Sequence, residues 1–145
     1  MATKLAFVTY ETPFAESGGI AAVMARLPGY AQIASGLDTI VITPFHHKIE
    51  KMNSLETNSV DEFEVSFDNK PIKVDIRCYN DEQFKLSWYF LKPLNTEYFA
   101  GSPHPIVLEK HRKKMRRNCC ETLFYLVHRW LRHWTLSLIK QIGFY

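Results

Sequence analysis

The sequence predicts an α/β fold over its first hundred residues, and three observations carry that prediction. Two short, uniformly apolar runs, KLAFVTY at residues 4–10 and TIVIT at residues 39–43, have the character of strands buried on both faces of a parallel sheet. Between them, from Gly19, apolar residues recur at helical spacing. Beyond Pro44, alternating stretches with turn signals between them read as antiparallel strands. Strand, helix and strand within about forty residues form a βαβ unit, which is nearly always right-handed.

Each element has its own signature. Residues 4–10 are continuous rather than alternating, as a doubly buried strand requires. Residues 12–17 read as a loop. In the helical stretch the apolar positions are Ile20, Val23, Met24, Leu27, Ala31 and Ala34, the face expected to meet the core. Pro28 should kink or divide that helix, because its ring blocks the preceding turn. Gly36 is the expected stop. Residues 46–55 are expected to hold a short helix. FEVSF at 63–67, IKVDIRCY at 72–79 and FKLSWYFL at 84–91 follow, separated by Asp68-Asn69 and Asn80-Asp81. They predict a β-meander, or a hairpin that leads back into the main sheet. Residues 91–105, with three prolines and a glycine, read as irregular.

Length suits one domain of ordinary size. MATKLAFVTY has one lysine before an apolar run too short for a signal peptide, and no stretch reaches the roughly 18 apolar residues of a membrane span. Cys78, Cys119 and Cys120 show no metal spacing, and adjacent cysteines rarely bridge each other. Reduced thiols and a cytoplasmic location are therefore expected, with Cys78 a buried thiol in its strand. His46-His47 has no third ligand placed by motif and reads as a solvated pair, so no metal site is expected. The net charge of +3 hides an asymmetry: residues 1–105 carry 9 Lys+Arg against 13 Asp+Glu, and residues 106–145 carry 9 against 2. Pro105 is the border between an acidic part and a basic one.

The chemistry concentrates in ETPFAESGGIAAVMARLP, residues 11–28. A helix starting directly after a strand points free N–H groups outward at the sheet's C-terminal edge. Glycines there permit positive φ and close approach of a ligand, which suits phosphate or sugar hydroxyls. The plain alternative is a tight strand-to-helix turn. Ser17 is a candidate helix N-cap or ligand contact. The pattern is neither GxGxxG nor a P-loop.

KLAFVTYETPFAESGGIAAVMARLP resembles the opening of the starch and glycogen synthase family of glycosyltransferases. The resemblance rests on Glu11, Pro13, Phe14, Gly18, Gly19, Ile20, Ala21, Val23, Leu27 and Pro28, on the second strand ending at Pro44, and more loosely on WYFLKPLNTEYFAG at residues 88–101. It implies a GT-B fold, two Rossmann-like domains facing across a cleft, of which residues 1–105 are an incomplete N-terminal domain. It implies glucosyl transfer from ADP- or UDP-glucose to an α-1,4-glucan, with retention, without a metal or other cofactor and without nucleic acid. The substrate-binding residues implied are Glu16, Ser17, Gly18 and Gly19, with Tyr10 and Glu11 supporting the loop; no catalytic residue is assigned. Two positions depart from the family pattern. Glu16 stands where the family has Lys, reversing the charge where a phosphate would sit, and Ala22 stands where it has Asp. With the family's donor-binding domain outside the resemblance, these residues alone are expected to be inactive.

The basic, aromatic tail, residues 106–145, does not resemble the family. At face value it is an amphipathic helix with Tyr125, Trp130 and Trp134, suited to a polyanion or a membrane surface, or to packing on the domain. Its codons allow another origin. In the frame one base away, Asn118-Cys119-Cys120 forces two leucines whichever codons are used, and Phe124-Tyr125 forces a third. The permitted codons then spell an acidic, alanine-rich helix resembling the family's next one. Together with the charge reversal, this leads to the expectation of out-of-frame translation after a one-base deletion near Pro105. Three functions follow as alternatives: a synthase fragment, a polyanion- or membrane-binding module acting through the tail, and a non-catalytic glucan-binding protein.

Overall fold

The computed structural model describes residues 4–16, 18–50, 55–67, 69–94 and 127–129. Strand β1 (Lys4–Val8) leads through a loop into α1 (Gly19–Met24) and α2 (Leu27–Ser35), then β2 (Asp38–Pro44) and one helical turn, α3 (His47–Glu50). Three longer strands follow, β3 (Asn58–Phe67), β4 (Lys70–Asp81) and β5 (Leu86–Pro93). They form one five-stranded sheet in the order β1-β2-β5-β4-β3. β1 pairs parallel to β2, and β2 parallel to β5; β4 runs antiparallel to both β5 and β3. The predicted hairpin thus leads back into the main sheet, with β5 beside β2 in the register Val41 to Trp88.

The alternation of side chains divides the core into two layers. One face of the sheet gathers Ile40, Ile42, Val74, Ile76 and Leu91; the other gathers Val41, Trp88 and Phe90 with Met24, Ala15 and Ile49. β2 is buried along both faces, as its apolar run predicts. β1 is not: its residues alternate between exposed and half-buried. It lies at the sheet's edge, so the doubly buried strand expected from its sequence has only one strand neighbour among the described residues.

The predicted helix is divided, and the break at Ala25–Arg26 falls just before Pro28, which sits in the first turn of α2 where a missing N–H costs nothing. Gly36 ends α2 in the left-handed conformation at φ 68°. The buried face differs from the one expected. Ala21, Met24, Pro28 and Gly29 are buried, whereas Ile20, Val23 and Leu27 are exposed. The reason is close approach: a β-carbon at Gly29 would lie 2.3 Å from the Phe84 ring, so small residues face the sheet and large ones face outward.

The first turn falls where Asp68-Asn69 predicted it, between β3 and β4, whereas the second lies beyond Asn80-Asp81. Asn69 takes the left-handed φ of 58° that the turn after β3 needs. The β4–β5 turn lies at residues 82–85, with Asp81 Oδ1 accepting from the backbone N–H groups of Gln83 and Phe84. Cys78 is half-buried rather than buried, and desolvation raises its thiol pKa. In the tail, residues 127–129 are helical, and Val127 is buried in the cluster of Ile40, Ile42 and Ile76. Tyr125, Trp130, Trp134, Cys119 and Cys120 lie outside the described residues, as do residues 95–105.

Candidate functional site

Parallel pairing places the loops after β1 and β2 side by side at one end of the sheet. The loop after β1 is held by its backbone. Thr9 N–H donates to Ile42 O at 3.0 Å, Thr9 Oγ1 donates to Glu11 O at 2.8 Å, and Ala15 N–H donates to Thr12 O at 3.0 Å. The last bond closes a turn over residues 12–15 and lays Phe14 across the sheet, edge-on to Trp88, Tyr79 and Phe90 at 5.0, 5.5 and 5.9 Å between centroids.

Glu11 is buried, and its carboxylate lies under Gly18: a β-carbon there would sit 3.2 Å from Glu11 Oε2. The two glycines therefore have separate reasons. Gly18 is extended, at φ −165°, so backbone conformation does not call for glycine; an added β-carbon would instead crowd the carboxylate beneath it. Gly19 opens α1 with nothing within 4 Å of an added β-carbon. Neither glycine has the positive φ expected for them. Six residues sum few peptide dipoles, so α1 offers a ligand less N-terminal charge than a long helix.

His46 is completely buried, which corrects the solvated pair predicted for His46-His47. Its Nε2–H donates to Tyr10 O at 2.8 Å, and the ring meets Tyr10 edge-on at 4.7 Å. The carbonyl can only accept, so Nε2 carries the proton. Burial lowers the pKa of His46, and Lys48 lowers it further; the bond to Tyr10 and the charge of Glu11 oppose them.

Glu16 is exposed at the loop's outer edge. A cation stands beside it nonetheless: Lys48 Nζ donates to the Glu16 carbonyl at 3.0 Å. The structure thus brings Tyr10, Glu11, Glu16, Gly18 and Gly19 into one loop with His46 and Lys48 at its base; Ser17 lies outside the described residues. Sequence reasoning missed His46 and Lys48 as members. The signal was present, since FHHK directly follows β2 and a βαβ unit puts that loop next to the first. Among the described residues no cluster of His, Cys, Asp or Glu could hold a metal, and no helix is long and apolar enough to cross a membrane.

A family model described as the starch synthase catalytic domain matches residues 4–123, a span that includes the loop and runs past Pro105. Glycogen synthase of Petrotoga mobilis is 50% identical over 48 residues, covering 32% of this chain and 10% of that protein. The fold resembles the catalytic domain of starch synthase IV from Arabidopsis thaliana, a structure bound to ADP and acarbose, with a TM-score of 0.58 and 22% identity over 86% of this chain and 25% of that one. The chain spans a small part of the length of the proteins it matches. With four-fifths of its residues inside one family model, the chain belongs to the starch synthase catalytic-domain family.

Proposed function

We propose that this chain is the N-terminal part of an enzyme that transfers glucose from a nucleotide sugar to an α-1,4-glucan, and that residues 10–19 line its substrate cleft. The observation that carries this reading is the family match over residues 4–123, which includes the loop. The ADP and acarbose of the Arabidopsis structure support a nucleotide sugar and a glucan as ligands. Whether the nucleotide is ADP or UDP is left to the test. In this reading no metal takes part, and the enzyme works in the cytoplasm.

In the loop, Gly19 leaves open space for a ligand and Lys48 supplies the cation that residue 16 does not. Glu16 then accepts hydrogen bonds from sugar hydroxyls. For these 145 residues alone the proposal is binding rather than turnover, because they span a quarter of the Arabidopsis structure. The border at Pro105 and the out-of-frame origin of residues 106–145 are a separate proposal, and the family match running on to residue 123 counts against it over residues 106–123. Sequencing the locus tests that origin, and the absence of a synthase-like frame one base away removes it.

Calorimetric titration of the chain with ADP-glucose, UDP-glucose and maltoheptaose, with heparin as control, tests the reading. Saturable binding of a nucleotide sugar, weakened by Lys48→Gln, supports it. Salt-sensitive binding of heparin alone would overturn it in favour of a polyanion-binding module.

A further inference from the structure

Away from residues 16–19, a second cleft of 450 Å³ opens between the turn at residues 13–14, the end of α1 and the β4–β5 turn. Its size is that of a small-ligand site. Its apolar lining is aromatic: Phe14, Tyr79, Phe84 and Trp88. Its polar lining is the run Asn80, Asp81, Glu82 and Gln83, two carboxamides and two carboxylates. Among the described residues no lysine or arginine lines it.

The walls are fixed before any ligand arrives. Gln32 Nε2 on α2 donates to the carbonyls of Phe84 and Lys85 at 3.0 and 2.9 Å, while Gln32 Oε1 accepts from Thr39 N–H at 3.0 Å. The Phe84 ring lies against Gly29 and meets Tyr30 edge-on. Asp81 caps the turn. On the opposite wall Phe14 is held against Tyr79 and Trp88. A cleft held this way costs little ordering when it binds.

We propose that this cleft is a saccharide-binding site separate from the glycine loop, taking a neutral sugar ring. The C–H faces of a sugar suit the aromatic walls, and its hydroxyls donate to the carboxylates and exchange hydrogen bonds with Asn80 and Gln83. The carboxylates, with no cation among the described lining residues, disfavour a phosphate or a nucleotide diphosphate. A quaternary ammonium group would also find rings and carboxylates here. The carboxamides of Asn80 and Gln83 both donate and accept, which suits hydroxyls, whereas an ammonium group has no use for their donors. The proposal rests on the same glucan chemistry as the proposed function, and of residues 10–19 the cleft takes in only Pro13 and Phe14.

Amide and indole resonances of the isotope-labelled full chain, followed during titration with maltoheptaose, test it. The expected result is saturable movement of the Asn80–Phe84 amides and the Trp88 indole at about millimolar sugar. Glu82→Ala with Gln83→Ala, both exposed positions, should weaken that binding about tenfold without altering the remaining spectrum. Movement confined to residues 16–19, which do not line the cleft, would overturn this site and leave the proposed function standing. Movement of the cleft with tetramethylammonium but not with maltoheptaose would overturn it as a saccharide site. No movement with maltoheptaose anywhere would overturn it as well, while nucleotide-sugar binding decides the proposed function separately.

Discussion

At the scale of single residues, the glycine pair separates stability from binding. Gly18→Ala brings a β-carbon to 3.2 Å from the buried Glu11 carboxylate, which must give way slightly, so in denaturant unfolding this variant should be less stable than Gly19→Ala. Gly19→Ala meets nothing within 4 Å, and restricting the unfolded chain should leave stability equal or up to about 0.5 kcal/mol higher. If the open space at Gly19 receives a ligand, the same variant lowers nucleotide-sugar affinity. His46 sets a pH dependence. Its folded pKa is lowered, mainly by burial, from 6.5, so the unfolded chain takes up a proton that the folded chain refuses. Stability is full above 6.5 and falls as pH drops through the folded value. The melting temperature should therefore decline on acidification below 6.5, and His46→Asn should flatten that slope.

At the scale of elements, the contact between α2 and the β4–β5 turn is the most exacting. Gly29→Ala drives a β-carbon into the Phe84 ring and should cost about 1–3 kcal/mol, and Phe84→Leu should recover part of it in a double-mutant cycle. This contact also shows what the sequence made legible. β2, the division of the helix before Pro28, the stop at Gly36 and the return of the hairpin were all readable, because each is decided by local chemistry: apolar continuity, a proline ring, a missing β-carbon. The buried face of α1 and α2 was not, because Gly29 counts as a helix weakener in any local scale and becomes a packing residue only against Phe84. The loop was readable as a strand-to-helix turn through Gly18 and Gly19. The reason for Gly18 lay seven positions away in Glu11, and the loop's cation lay at Lys48, thirty-two residues beyond Glu16.

At the scale of the whole molecule, the outward faces of α1 and α2 form an apolar stripe. Ile20 is 58% exposed and Ile33 70%, with Val23, Leu27 and Tyr30 between them. Contiguous surface of this kind promotes association. Ile20→Lys combined with Ile33→Lys should shift the chain toward monomer in sedimentation at raised concentration. The edge position of β1 bears on the order in which the molecule comes apart. β2 and β5 have strand neighbours on both sides and buried side chains, whereas β1 is a five-residue strand joined to the sheet through β2. Its amides need only a local detachment to meet solvent, while those of β2 need most of the sheet to open. In deuterium oxide, the label should enter residues 4–8 first and residues 40–43 last. An isotope clock run this way would read the molecule as a zip that opens from its first strand.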